Sequence, residues 1–257
     1  MTELSRLTWS DAEQALADAK LAIVPVGSLE QHGPHLALDT DLAVAEALAR
    51  RLDSDLGREA LLCPSIPYGL SEHHMGFPGT LTLRPDTFTG LILEVVESLA
   101  HWGLRRVLLV NGHGGNIDAL RLVSRRARRD MASRVAAVMW AQLAAEEIAA
   151  RVESASYGHA CEVETSVVMT LVPDRLFFDR IAEPKGRRSL DPATDPPRAF
   201  VDQAVSMEEW TDDGALGDPR LASIEFGETV VEIAYRRMIE FTRTFAKAPL
   251  LPQQEES

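Results

Sequence analysis

The chain has 257 residues, 46% of them apolar and 25% charged, and a formal net charge of -13. That composition belongs to an ordinary globular protein with room for a sizeable core, and the acidic balance argues against nucleic-acid backbones and anionic membranes as partners. The two cysteines, Cys63 and Cys161, are too few for a disulfide framework or a cysteine-rich zinc site.

The polar opening MTELSRLTWSDAEQ lacks the apolar core of an export signal, and no apolar run is long enough to span a bilayer, so a cytoplasmic location is expected. TWSDAEQALADA predicts a first helix capped by Thr8 or Ser10. LAIVPVGS, Leu21 to Ser28, predicts a buried strand closed by a Gly-Ser turn. The next stretch is dense in ionisable groups: VGSLEQHGPHLALDTD, Val26 to Asp41, holds two of the seven histidines and three carboxylates. Glu30 and His32 are two residues apart, so an extended segment sends both side chains from one face. An unpaired carboxylate behind a buried strand is costly enough that it must find a partner. Asp39 and Asp41 repeat the spacing before TDLAVAEALARRL, a helix over Thr40 to Leu52 that Thr40 or Asp39 would cap. Two readings compete. In one, the loop is self-satisfied, with Asp39 on the helix, His32 on a carbonyl and Glu30 in water. In the other, it is part of a metal site, because Glu, His and Asp suit zinc, manganese or iron.

LLCPSIPYG predicts a second strand interrupted by prolines, and SEHHMGFPGTLTL a shaped loop followed by a strand. In that loop His74 is a candidate to line a pocket, and His73 is expected to face solvent. TFTGLILEVVESLAHWG predicts an amphipathic helix ended by Gly103, with His101 a structural residue beside Trp102. RRVLLVNGHGGN predicts a third strand running into a turn where Gly114 and Gly115 allow close approach to a ligand and His113 projects from the strand end. The turn lacks the Lys-Ser/Thr of a phosphate loop. RLVSRRARRD, Arg121 to Asp130, interleaves arginines with apolar positions at helical spacing, which fits a solvated face or a subunit contact. SRVAAVMWAQ predicts a fourth strand with Trp140 in the core.

GHACEVETS, Gly158 to Ser166, offers His159, Glu162 and Glu164. Extended, the segment would place both glutamates on one face, one against a metal and the other supporting it, while His159 is suited to proton transfer. ETSVVMTLVPDRL predicts a helix starting at the Thr165-Ser166 pair. From Glu183 to Pro219 the chain is rich in Pro, Gly and Asp and reads as irregular, exposed or in subunit contact. GETVVEIAYRRMIEFTRTF closes the fold, and LLPQQEES reads as a frayed tail. Strands alternating with helices argue a mostly parallel sheet covered on both faces, whose sites gather at the carboxyl ends of the strands. The division expected is one domain over residues 1–247 and a tail over 248–257.

Five motifs in this order, GSLEQHGPHLALDTD, FPGT, NGHGGN, HACEVETS and GDP, resemble the creatininase family of metal-dependent amide hydrolases over roughly residues 20 to 235. The resemblance implies a three-layer α/β/α fold, a homohexamer, and a binuclear metal centre that hydrolyses carbon-nitrogen bonds of cyclic amides, formamides or short peptide tails. By motif, Glu30 and His113 would hold one metal and His32 the other, with Asp41 bridging and His159 catalytic. Zinc is the first expectation for the metal, with manganese or iron(II) as alternatives. Creatininase has a glutamate ligand where this chain has Gly115, which leaves a vacancy for Glu162, or alternatively Glu164, to fill. Glu164 otherwise joins His159 in the catalytic set. Creatininase's tryptophan shortly before the catalytic histidine is also missing from Ala155 to Tyr157, which argues against creatinine itself. A small-molecule amide is the expected substrate, with trimming of a modified ribosomal peptide or a metal-binding scaffold without catalysis as the alternatives.

Overall fold

The computed structural model describes residues 3–154, 156–185, 204–250 and 252. Its centre is a four-stranded parallel sheet of order β2-β1-β3-β4, built from β1 (Leu21–Val26), β2 (Ala60–Leu62), β3 (Arg106–Asn111) and β4 (Arg134–Met139). The strands alternate their apolar side chains between two cores, as a two-residue period requires. Leu21, Ile23, Leu108 and Val110 face α2 (Thr40–Leu56), α7 (Glu162–Leu171) and α9 (Ile224–Lys247). Ala22, Val24, Val107 and Leu109 face α3 (Pro85–His101) and α4 (Ile117–Met131), with residues of α1 (Trp9–Asp18) at the edge. The result is the expected three-layer α/β/α arrangement. None of the described helices is long and apolar enough to cross a membrane.

Strand order decides where a site can form. From β1 the chain crosses through α2 to β2 on one side, whereas β3 and β4 lie on the other, so connections diverge between β1 and β3. Right-handed crossovers then put α2 on one face and α3 and α4 on the other, and leave a crevice at the carboxyl ends of β1 and β3. Pro25 sits in β1 without disturbing this. Its carbonyl accepts from Ile66 N, 2.9 Å away, so its missing donor lies on the side where the short β2 ladder has already stopped at Ile23.

Several boundaries differ from the sequence reading. Thr8, not Ser10, caps α1, accepting from Asp11 N. At α2 neither expected cap forms: Asp39 pairs with Arg175 (2.9 Å), and the Thr40 hydroxyl donates to Ala37 O (2.7 Å). The second strand stops at Leu62, before Pro64, and the chain touches β1 again only through a bridge at Ile66. The strand expected in TLTL reduces to one antiparallel bridge between Leu81 and Leu29, because Pro85 already opens α3. β4 ends at Met139, and Trp140 begins the short α5 (Trp140–Leu143), followed by α6 (Ala145–Arg151). Trp140 packs in the core as expected, 5% exposed.

The largest change in consequence concerns α7, which starts at Glu162 rather than at Thr165-Ser166. Ala160 takes a left-handed φ of 48° and Cys161 is extended, so the chain enters the helix one turn early. Carboxylates in a first helical turn are favoured by the helix dipole. Glu162 and Glu164 therefore sit about 200° apart around a helix instead of sharing a strand face. Of the Pro- and Gly-rich segment, residues 186–203 lie outside the described residues; the remainder forms α8 (Met207–Trp210), with a Ser206/Glu209 capping box, and a loop over 211–218. The expected tail lies outside them too, apart from 248–250 and 252.

Candidate metal centre

The crevice between β1 and β3 collects buried ionisable groups from four distant segments. The loop after β1 supplies Glu30 (1% exposed) and His32; the first turn of α2 supplies Asp41, and the turn after β3 supplies His113. Gly112 makes this approach possible, since a Cβ there would stand 2.0 Å from Asp41 O. Asn116 laces the loops together, accepting from Leu70 N (2.9 Å) and donating to Gly27 O (3.0 Å). The fourth segment brings His159 and Glu164.

Three histidines are oriented by backbone carbonyls, which can only accept. His32 Nδ1 donates to Glu30 O (3.1 Å), His113 Nε2 to Leu70 O (2.9 Å) and His159 Nε2 to Gln31 O (2.7 Å). Each neutral ring must then turn the lone pair of its other nitrogen inward. There it meets carboxylates: His32 Nε2 lies 3.2 Å from Asp41 Oδ1, and His113 Nδ1 lies 3.1 Å from Asp41 Oδ2 and 3.2 Å from Glu30 Oε1. His159 Nδ1 lies 3.9 Å from both Glu30 Oε1 and Glu164 Oε2. Lone pairs facing carboxylate oxygens repel unless a positive charge stands between them.

Protons partly fill that role. Burial disfavours charge on His32, but Asp41 outweighs it and the imidazole pKa rises to about 10. His113 likewise overcomes burial through Glu30 and Asp41 and is raised well above the ordinary range. Burial would raise Glu30, yet the charge on His113 holds it well below the usual carboxylate value. Burial lifts Glu164 to about 7, and burial followed by repulsion from His32 lowers His159 to about 3. Even so, Glu30 Oε1 and Asp41 Oδ2 remain buried without a hydrogen bond. Two orphaned oxygens facing imidazole nitrogens are the donor set a divalent cation satisfies.

The ligand atoms form two triads that share Asp41: Glu30, Asp41 and His113, and His32, Asp41 and Glu164. A third triad joins Glu30, His32 and His159, and within each the atoms lie within 4.8 Å of one another. A family model described as creatinine amidohydrolase matches residues 5–242. The chain belongs to the creatininase family. It is 34% identical to the mycofactocin precursor peptide peptidase of Mycolicibacterium smegmatis over 230 residues, covering 88% of this chain and 85% of that protein. To the creatinine amidohydrolase of Pseudomonas putida it is 28% identical, covering 93% of this chain and 95% of that protein. A crystal structure of creatininase superposes with a TM-score of 0.82 at 24% identity, covering 96% of this chain and 99% of that one. A mutant creatininase of Zn-Zn type and a manganese creatininase superpose at 0.80 and 0.77, with 25% and 26% identity, each covering 96% of this chain and 98% and 99% of theirs. The chain is thus a hydrolase of the creatininase family, with buried groups suited to divalent metal.

Against the creatininase pattern, Gly115 is more than a gap. A Cβ there would stand 2.4 Å from both His113 Nε2 and Leu70 O, so the bare backbone lets His113 keep its carbonyl. Gly114 is exposed, with open space where a Cβ would sit. The two glutamates of α7 part company. Glu162 Oε1 accepts from Ser154 N (2.6 Å) and Glu153 N (3.2 Å), away from the triads. Glu164 accepts from Ala160 N (2.5 Å) and faces His32 and Asp41. His74 is buried with Nε2 3.2 Å from Glu30 Oε1. His73 is half-buried rather than solvent-facing, because its ring stacks on His113 at 5.7 Å. His101 is exposed and packs edge-on to Trp102, outside the site.

The sequence reading does not single out Ser71, Gln31 or His35. The Ser71 hydroxyl donates to Glu30 Oε2; its only signal is a place just before the paired histidines. His35 is fully buried and meets the Thr165 hydroxyl at 2.9 Å, joining the loop that carries His32 to the helix that carries Glu164.

Proposed function

We propose that the chain hydrolyses a peptide C–N bond of a ribosomally made precursor peptide at a binuclear centre. Glu30, Asp41 and His113 would hold one divalent cation, and His32, Asp41 and Glu164 the other. The observation that carries this reading is the pair of triads meeting at Asp41, whose two oxygens face different histidines. The same geometry favours Glu164 over Glu162 as the fifth ligand, because the Glu162 carboxylate is already taken by backbone N–H groups. Zinc is the first candidate, with manganese or iron(II) as alternatives for a carboxylate-imidazole set.

Bound there, such a pair of cations supplies Lewis acidity toward a substrate carbonyl and lowers the pKa of water. The chain's own part is proton handling and exclusion of solvent. His159, neutral and fixed at Nε2 by Gln31 O, presents Nδ1 to take a proton from the attacking water and deliver it to the leaving nitrogen. Peptide cleavage is favoured over a small cyclic amide by the 34% identity to a precursor peptide peptidase, against 28% to a creatinine amidohydrolase. The second reading, a small-amide hydrolase, rests on that latter likeness. Incubating the metal-loaded protein with a synthetic mycofactocin-type precursor peptide and, separately, with creatinine tests both. Mass spectrometry should show the peptide shortened and creatinine intact; the reverse would select the small amide.

The chain is also assigned to a homo-oligomer, a hexamer by family resemblance. Trp9 and Trp102, 84% and 66% exposed, give one face the apolar character of a contact. Light scattering of the full chain tests this, and a monomer would end it.

A further inference from the structure

We infer that Gln31 is a positioning residue for Glu30, acting through His74. The inference rests on the cation centre proposed above and concerns what holds its first carboxylate in place.

Gln31 lies between two proposed ligands and is buried, yet its amide turns away from them. Oε1 accepts from Gly33 N (2.9 Å), and Nε2 donates to Gly214 O (3.2 Å). One donor and one acceptor fix which end of the amide is nitrogen, since exchanging the two would set like groups against each other at both contacts. The same Nε2 lies 2.8 Å from His74 Nδ1. An amide nitrogen only donates, so His74 Nδ1 accepts and the ring carries its proton on Nε2. That N–H lies 3.2 Å from Glu30 Oε1. The ring's acceptor side is therefore held by Gln31, and its donor side faces Glu30 Oε1 as a short polar contact outside hydrogen-bond geometry.

His74 thus differs from the three histidines of the triads. Those rings are pinned by carbonyls and turn lone pairs inward; His74 is pinned by a donor and turns an N–H inward. Ser71 holds Oε2 by a hydrogen bond and the His74 N–H faces Oε1 at 3.2 Å, which together favour one orientation of the Glu30 carboxylate. The Gln31 backbone carbonyl holds His159 as well, so one residue sets two histidines with opposite polarity. The loop over 211–218 braces this device: Gly214 anchors the amide, and Leu216 N donates to His159 O (2.8 Å). A Cβ at Gly214 would stand 1.8 Å from Gln31 Oε1, so the loop seats directly on the amide.

The test is a double-mutant cycle read by zinc affinity. The full chain is stripped of metal and titrated with Zn2+ against a chromophoric chelator, as wild type, Gln31→Met, His74→Phe and the double variant. Each single change should weaken the affected cation by about 10- to 100-fold, the range for losing an outer partner of a ligand. The double variant should be no weaker than the worse single one, because both remove the same link. Gln31→Glu, which keeps the contact with Gly33 but has no donor for His74, serves as the second variant if Gln31→Met fails to fold, and should show the same loss. Wild-type affinity in a folded Gln31 variant, or a double variant whose loss is the product of the two, would overturn the inference alone. Wild type that takes up no zinc would overturn the cation centre and this inference with it.

Discussion

The two ends of the parallel sheet handle charge in opposite ways. At the amino end, Arg106 donates to Ala248 O (2.6 Å) and Arg134 to Pro249 O (2.5 Å), at sites that water partly reaches. Each cation there has an acceptor and a solvent shell, so the arrangement costs little and fastens the chain after α9. At the carboxyl end, Glu30, Asp41, His32 and His113 are at most 4% exposed, and two carboxylate oxygens lack a hydrogen bond. Buried charge of that kind destabilises a fold unless a partner completes it. The amino end fastens the fold, whereas the carboxyl end gathers buried carboxylates and imidazoles into groups suited to a divalent cation.

Changes at the two ends should differ in kind as well as size. The largest effect is expected from Asp41→Asn, which touches both triads: metal content should fall from about two equivalents to under half of one, with hydrolysis lost. Elemental mass spectrometry and peptide turnover check this; a retained binuclear centre would remove Asp41 as the bridge. His113→Ala should follow, losing about one equivalent together with activity.

A smaller effect of definite sign comes from pH. In the metal-free protein His32 is raised from 6.5 to about 10 and Glu164 from 4.5 to about 7, so both bind protons more firmly folded than unfolded. The stability from protonated His32 is complete below its unfolded value and is lost as pH rises toward about 10. The penalty on ionised Glu164 is absent below its unfolded value and grows until about pH 7. Both terms lower metal-free stability as pH rises, while cations that displace these protons bind more tightly. The gap in melting temperature between metal-loaded and stripped protein should therefore widen from about pH 6 to about pH 8. A gap that narrows would contradict the assigned proton sites. The smallest effect should come from the amino end, where Arg134→Ala is expected to cost about 0.5 kcal/mol by denaturant unfolding and to leave metal content unchanged.

Much of the carboxyl end is legible in the chain because its signals are local. ExH after a β-branched run, Asp41 at a helix start and NGHGG after a strand each mark, within a few residues, a segment that the structure brings to the crevice. The choice between Glu162 and Glu164 is not local, since it depends on where α7 begins. The two carboxylates point to opposite sides of α7, and where the helix begins is set by the left-handed Ala160 and the extended Cys161. His74, Ser71 and Gln31 act across separations of about forty residues, which no spacing in the sequence reveals. The TLTL segment alternates like a strand, but its partner is the loop at Leu29, so pairing stops at one bridge.

The most direct test of the central claim is the metal content per chain of wild type, Glu164→Gln and Glu162→Gln after reconstitution with zinc. Two triads joined at Asp41 predict about two, one and two equivalents in that order. About two equivalents in Glu164→Gln with one in Glu162→Gln would contradict the assignment and return the fifth ligand to the other side of α7.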